Sequence, residues 1–370
     1  MPFSPEQKQD SSYMKRALAL TRRGLGRSSP NPAVGALVVA GGRVVGRGWH
    51  AKAGQAHAEV RALEQAGEMA RGATLYVTLE PCHHAGRTPP CTAAVLAAGV
   101  ERVVYGVSDP NPRVAGGGGE FLAGRGLAVT PGVLARQCAH EHRFFITWVT
   151  KGRPHVILKT AATMDGKTAT RTGHSRWITG PASRRFVHRL RGWVDAIMVG
   201  AGTALSDDPR LTCRLPGGSQ PLRVVVDSRL RLPGKARLLD PGSPPGCLVA
   251  CGPQARAGDV QRLAAAGAEV LRLPLDDHGG VDLAALLEQL GSRGITSLLA
   301  EGGAGLAWSL LREGLVDEVM YFYAPKLVGG AQAPPMVGGS GVERMDQAIK
   351  LGRPVIRRFG GDVMLWAALE

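Results

Sequence analysis

The stretch from residue 55 to residue 91 constrains this chain most. His57-Ala58-Glu59 opens a predicted helix, Cys82 follows Glu80-Pro81, and Cys91 follows Pro89-Pro90. One imidazole and two thiols in that order read as a three-ligand zinc site. A zinc held by three protein groups keeps its fourth tetrahedral position for water, which separates a catalytic site from a closed structural one. Glu59 stands two residues beyond the imidazole and need not be a ligand. Alone, His57 reads as a surface or core histidine, and either cysteine as a small buried apolar residue. Together and in sequence they read as a metal site. Val60, Leu63 and Gly67 follow Ala56 at helical intervals, so His57 and Glu59 fall in a first turn, at the positive end of the helix dipole. Residues 74–79 predict a buried strand delivering Cys82 from its C-terminal end. Cys91 opens a second helix, with Pro90 at an early helical position. Two helix N-termini converging on one cation lower both thiol pKa values, so that both sulfurs bind as thiolates.

At 370 residues the default is two domains. The N-terminus has no apolar stretch of signal-peptide length, and no run of about 18 apolar residues follows; neither export nor membrane insertion is expected. Six scattered cysteines are not a disulfide framework. Cys138, Cys213, Cys247 and Cys251 read as buried thiols, and a reducing cytoplasm is expected. The formal charge of +15 points to anionic partners. Its arginines come in ones and twos without aromatic interleaving, and aromatics make up only 5%. That is too sparse for a stacking platform on single strands, so phosphorylated small molecules are favoured over nucleic acid.

Along the chain, residues 11–25 predict an amphipathic helix with Met14, Leu18 and Leu25 on one side. Strands at 36–39 and 43–50 flank a Gly41-Gly42 hairpin turn. Strands at 102–107 and 127–130 and a helix at 133–149 complete an α/β sandwich. The run Gly116–Gly119 lacks a phosphate-cradle pattern and reads as a loop before a short helix. Residues 151–154 read as a linker, dividing the chain into domains 1–150 and 151–370. Beyond it, strands at 156–162, 196–200, 222–227, 247–250, 270–273 and 295–300 alternate with loops or helices. Such alternation predicts a mainly parallel sheet covered on both faces. Helices are expected from 181 to about 193 and over 306–312, and late strands at 316–324 and 362–368 at an antiparallel edge.

Three loops in this half leave from strand C-termini, where an open α/β sheet binds its ligand. Glu301-Gly302-Gly303-Ala304-Gly305 joins a strand directly to a helix and offers backbone N–H groups to an anion. Gly173–Thr179 holds a hydroxyl, a cation and an indole. Gly200-Ala201-Gly202-Thr203 leads to Asp207-Asp208-Pro209-Arg210-Leu211-Thr212-Cys213-Arg214. The plainer alternatives are core packing for Trp177 and a turn or helix cap for Asp207-Asp208.

The His57/Cys82/Cys91 layout resembles that of zinc-dependent nucleobase deaminases, except that eight residues separate the cysteines instead of two. Asn31-Pro32, His57-Ala58-Glu59 and the segment 80–91 with its Gly86-Arg87-Thr88-Pro89-Pro90-Cys91 resemble the bifunctional riboflavin-biosynthesis deaminase/reductase family. Lys159-Thr160-Ala161, Met164–Lys167, Ser175–Thr179, Ser206–Pro209 and Glu301-Gly302-Gly303 carry the resemblance through the second half. His83 and His142 depart from the family's usual Ser and Asn.

The resemblance implies an α/β fold: an N-terminal cytidine-deaminase-like α/β/α sandwich and a C-terminal dihydrofolate-reductase-like α/β domain. It implies zinc-dependent deamination of 2,5-diamino-6-(5-phosphoribosylamino)pyrimidin-4(3H)-one, then NADPH-dependent reduction of its ribosyl side chain. Zinc, one per chain, would be held by His57, Cys82 and Cys91, with Glu59 the proton carrier. Asn31, His84 and Arg87 would contact the substrate, the last two at its phosphate. In the reductase, Lys159, Ser175, Arg191, Leu211, Arg214 and Glu301 would lie on the substrate, with Arg191 and Arg214 as phosphate clamps. Ala161, Trp177, Thr203, Asp207, Ser228 and the loop of Gly303, Ala304, Gly305, Leu306, Ala307, Trp308 and Ser309 would lie on NADPH. Asp207 doubles as catalytic acid or orienting group. A homo-oligomer is implied. Two rivals make different demands. A nucleic-acid-editing deaminase needs closely spaced cysteines and stacking aromatics; a structural zinc needs a fourth protein ligand, for which His83 or His84 would serve.

Overall fold

The computed structural model describes residues 4–84, 89–111, 117–240, 242 and 245–370. It divides into two compact units, Met1–Gly152 and Arg153–Glu370, with the break inside the expected 151–154 segment. No helix among the described residues is long and apolar enough to cross a membrane.

The first unit begins with helix α1 (Pro5–Thr21), started six residues earlier than the apolar spacing indicated by a capping box between Ser4 and Gln7. Strands β1 (Gly35–Ala40) and β2 (Arg43–Trp49) form the expected hairpin, its turn glycines at φ +51° and +74°. Next come α2 (Ala58–Ala66), β3 (Thr74–Leu79), α3 (Cys91–Ala97), β4 (Arg102–Val107), α4 (Gly118–Gly124) and β5 (Ala128–Thr130). The single helix expected at 133–149 is two, α5 (Ala135–Glu141) and α6 (Arg143–Lys151), broken at His142. Strand order is β2-β1-β3-β4-β5, with β1 antiparallel to both neighbours and β3, β4 and β5 parallel.

Alternation along these strands builds two cores. Leu37, Val39, Tyr76 and Val104 face Met14 and Ala17 of α1. Ala36, Val38, Leu75, Val77 and Val103 face Ala58, Ala62 and Leu63 of α2, Val95 of α3 and Leu122 of α4. The buried stripe of α2 is therefore Ala58, Glu59, Ala62, Leu63 and Ala66; of the expected 56/60/63/67 it shares Leu63, while Val60 is half-buried and Ala56 and Gly67 lie outside the helix. Gly46 and Gly48 of β2 set the phase of the stripe: a Cβ on either would collide with a backbone carbonyl of α2, so the helix lies directly on the strand.

The second unit contains β6 (His155–Thr163), α7 (Pro181–Arg191), β7 (Ala196–Gly200), α8 (Ala201–Asp207), β8 (Leu222–Val226), β9 (Cys247–Cys251), α9 (Ala257–Ala265), β10 (Ala268–Arg272) and α10 (Leu283–Ser292). It ends with β11 (Ser297–Ala300), α11 (Ala304–Arg312), β12 (Glu318–Ala324), β13 (Val355–Phe359) and β14 (Asp362–Ala368). The sheet runs β10-β9-β8-β7-β11-β6-β12-β14-β13 and is parallel from β10 to β12. Strand β12, expected at an antiparallel edge, is internal and parallel to β6. The edge is β13, which the sequence reading did not anticipate because its apolar residues face outward. Leucines of α10 and α11 cover one face.

Candidate active sites

In the first unit, His57 is the N-cap of α2, Glu59 lies in its first turn, Cys82 follows β3, and Cys91 is the first residue of α3. Pro90 is the N-cap and not a helical residue. One donor atom each from His57, Cys82 and Cys91 lies within 4.8 Å of the other two. His57 Nδ1 is 3.1 Å from Cys91 Sγ and 3.6 Å from Cys82 Sγ, and the Cys91 N–H donates to Cys82 Sγ at 3.3 Å. A hydrogen bond from Cys91 holds the Cys82 thiol down at about 4 against the opposing effect of burial, and the same bond with burial pushes Cys91 up. A cation held among these donors would displace the proton they share.

Glu59 is 3% exposed, and burial raises its carboxyl above the usual range. Its Oε2 has no hydrogen-bond partner among the described residues. A buried carboxylate oxygen left unpaired beside a soft three-donor set fits a zinc site that leaves one position for a ligand. His83 turns elsewhere, stacking on Phe121 at 3.8 Å and meeting Thr92 Oγ1 at 3.1 Å, and the metal-ligating group among the described residues comprises three side chains.

The cleft in front of Glu59 measures about 420 Å³ and is lined by Asn31 and His84 among others; Arg87 lies outside the described residues. It also includes His50, Asp109 and Asn111, which sequence reasoning missed. The available signal was positional: His50 ends the β2 hairpin arm, and Asp109 and Asn111 follow the C-terminal end of β4. Ala56 O can only accept, so His50 Nδ1 is its donor at 3.3 Å, while His50 Nε2 meets Asn31 Nδ2 at 3.2 Å. Glu80 is structural: it accepts from the Asp109 and Gly119 N–H groups and ties the cleft rim to the start of α4. Gly118 and Gly119 are thus helical and closely packed, where a loop was expected.

In the second unit, Lys159, Arg191 and Glu301 converge from β6, α7 and the end of β11. Glu301 accepts from Arg191 Nε at 2.8 Å, Arg191 Nη2 at 3.0 Å and Lys159 Nζ at 3.5 Å. Burial would raise this carboxyl, yet Arg191 and Lys159 overcome it and hold it at about 2. Arg191 also donates to Thr212 O, which brings the 208–214 segment alongside. Leu211 there is 2% exposed, so its backbone alone can meet a ligand; Arg214 is exposed.

Ala161 is half-buried two residues from Lys159, on the same face of β6. Trp177 is 62% exposed under the Arg184 guanidinium, 4.6 Å from its ring centre, which removes core packing as its explanation. Ser175 shares its loop. Asp207 ends α8 and its carbonyl accepts from Arg176; Asp208 forms a turn at φ +39°. Ser228 follows β8 and accepts from the Val281 N–H.

The segment 303–309 is not a loop. Gly303 is the N-cap of α11, so Ala304, Gly305 and Leu306 carry the free first-turn N–H groups, while Ala307 is fully buried and Trp308 packs beneath Gly339. Thr203 of α8 lies against Gly303, so the glycine turns after β7 and β11 are neighbours. Together they form a backbone cradle that fits an anionic nicotinamide cofactor.

The family model of the RibD C-terminal domain matches residues 154–365, and that of the cytidine and deoxycytidylate deaminase zinc-binding region matches residues 7–107. The riboflavin biosynthesis protein RibD of Bacillus amyloliquefaciens is 43% identical over 357 residues, covering 96% of this chain and 95% of that protein. The chain belongs to the RibD family. It is a bifunctional deaminase and reductase of riboflavin biosynthesis, with a zinc-binding deaminase domain and a reductase domain that uses a nicotinamide cofactor. The RibD of Escherichia coli K12 is 41% identical over 96% of this chain and 98% of its own. Among solved structures, Acinetobacter baumannii RibD matches with a TM-score of 0.86 at 38% identity, over 98% of this chain and 99% of the other. A diaminohydroxyphosphoribosylaminopyrimidine deaminase/5-amino-6-(5-phosphoribosylamino)uracil reductase of Thermotoga maritima matches with the same score at 37% identity, over 99% and 100%. The cytidine-deaminase-like and reductase folds expected from the sequence are those of the RibD family.

Proposed function

We propose that the first unit hydrolytically deaminates 2,5-diamino-6-(5-phosphoribosylamino)pyrimidin-4(3H)-one. The second unit then reduces the ribosyl side chain with NADPH, giving 5-amino-6-(5-phosphoribitylamino)uracil. The observation that carries this reading is the buried Glu59 Oε2, without a hydrogen-bond partner among the described residues, beside His57, Cys82 and Cys91. Those three side chains would hold one zinc per chain, which when bound supplies the Lewis acidity that makes a water nucleophilic near neutral pH.

Glu59 Oε2 takes a proton from the attacking water and gives it to the ring nitrogen, then takes the remaining proton of the new hydroxyl and gives it to the departing amine. A C–O bond forms, the C–N bond breaks, and ammonia leaves. The raised Glu59 pKa suits a group that must hold a proton between the two transfers. Asn31 contacts the ring, and His84 with Arg87 the phosphate.

In the second unit NADPH, when bound, would supply hydride for C1′ of the opened sugar. Lys159, Ser175, Arg191, the Leu211 backbone, Arg214 and Glu301 position the substrate. Glu301, held ionised, accepts hydroxyl hydrogens and delivers none, which leaves Asp207 as the proton donor or orienting group. Ala161, Trp177, Thr203, Ser228 and the start of α11 hold the cofactor. The outward-facing Val355 and Ile356 on edge strand β13 support association into a homo-oligomer. Six free thiols support a reducing, cytoplasmic setting.

Glu59→Gln tests the central step. The variant should retain zinc by elemental analysis and lose ammonia release by at least about 100-fold. Its NADPH oxidation at 340 nm with the deaminated, still phosphoribosylated substrate should be unchanged. Substantial ammonia release would overturn the role of Glu59.

A further inference from the structure

Beside Arg191 two segments bring basic side chains together. In the first, φ values of +39° at Asp208 and +54° at Leu211 turn the chain so that Leu211 and Cys213 are buried while Arg210 and Arg214 face outward. The backbone of Cys213 is clasped by Gln220 on both its N–H and its carbonyl, at 2.9 and 2.8 Å. In the second segment Leu238 and Leu239 are buried, and the fully buried Arg223 reaches the Asp240 carbonyl at 3.3 Å. The two are joined where the Arg237 N–H donates to Asp208 Oδ1 at 2.8 Å.

Arg210, Lys235 and Arg237 line a common cavity of about 320 Å³. Asp240, also on its rim, has Oδ1 engaged by the Gly242 N–H. Among the described residues no carboxylate pairs with Arg210, Arg214, Lys235 or Arg237. Partial burial, then the charges of Arg191, Arg210 and Arg237, lower the Arg214 pKa. Gathered guanidiniums on rigid supports match a dianion with several oxygens.

We propose that Arg210, Arg214 and Arg237 form one recognition site for a phosphate monoester beside the reductase site, in which Arg210 and Arg237 determine specificity. The inference rests on the reductase reading above and extends it. Two ligands offer that chemistry, the substrate's 5-phosphate and the cofactor's 2′-phosphate, and kinetics separates them.

The test uses the full-length, zinc-loaded enzyme with Arg210→Ala, Arg237→Ala and the corresponding Lys substitutions, with melting temperature as the fold control. Each Ala change should raise one KM about tenfold while kcat stays within about twofold, and should weaken competitive inhibition by inorganic phosphate to a similar extent. Lys should recover part of the loss, because charge is restored without the planar fork. A higher KM for the pyrimidine identifies the substrate phosphate; a collapsed preference for NADPH over NADH identifies the 2′-phosphate. If both KM values and phosphate inhibition are unchanged in the Arg210→Ala/Arg237→Ala double variant, the proposal fails. Arg214→Ala tells the two levels apart. Should it alone raise KM, only the extension is lost; should it also be silent, the assignment of substrate to this end of the sheet is lost with it.

Discussion

Glu301 is a carboxylate that burial alone would neutralise and that two cations keep charged. Its pKa falls from an ordinary 4.5 to about 2, so its contribution to stability is present above pH 4.5 and is lost as pH falls toward 2. Glu301→Gln leaves the half-buried Arg191 without its counter-charge. It should destabilise the second unit by about 3–5 kcal/mol in urea titrations, and should flatten the acid limb of stability between pH 4.5 and 2. Unchanged acid sensitivity would mean that the triad is not what acid breaks. The glycine turn that Glu301 opens was legible beforehand at a strand end, while Glu301 itself was named through the family resemblance. His57, Cys82, Cys91 and Glu59 were legible because imidazole, thiols and a spare acid in fixed order have few other uses. His50, Asp109 and Asn111 were not. They are ordinary polar residues whose neighbourhood exists only once β1, β3 and β4 are known to be adjacent.

At the scale of elements, the placement of His57 and Glu59 depends on how closely α2 lies on β2. Gly48→Ala would drive a methyl group into the Ala58 carbonyl. The expected cost is about 1–3 kcal/mol, with weaker zinc retention in competition with a chelator. Wild-type zinc affinity in this variant would show that the contact is slack. The break between α5 and α6 has its own pH signature. His142 sits there fully buried with Nε2 on Thr78 Oγ1 at 3.0 Å, and burial lowers its pKa to about 4. The unfolded chain protonates this imidazole from about pH 6.5 downward while the folded chain resists until about 4. Stability is therefore full above 6.5 and declines as pH falls toward 4. His142→Asn should remove that slope in urea midpoints between pH 7 and 4, and an undiminished slope would assign it to another group. The break itself escaped the sequence reading because apolar spacing continues across His142. Strand β13 escaped because an edge strand with every residue but Phe359 exposed leaves no buried face to read. Strands β3, β4 and β7 were read to the residue, since continuous apolar runs between turns are the plainest local signal.

At the scale of the whole chain, each unit has its own sheet and hydrophobic core, and each holds all the described residues of one site. Among the described residues, the side chains able to hold a metal, His57, Cys82 and Cys91, come from the first unit, so metal should matter to one activity and not to the other. Binding to the folded state alone stabilises by RT ln(1 + [L]/Kd), about 4 kcal/mol at a thousandfold excess over Kd. Stripping zinc from the full-length protein with a chelator should therefore abolish ammonia release and lower the melting temperature of the first unit. NADPH oxidation with the deaminated, still phosphoribosylated substrate should persist, and the melting of the second unit should stay in place. Calorimetry with and without added zinc reads both transitions in one chain, and back-titration with zinc should restore ammonia release in proportion to metal bound. Loss of NADPH oxidation along with ammonia release, reversed by the same zinc, would mean that the reductase depends on the metal after all. The separate placement of the two sites would then not describe how the enzyme works.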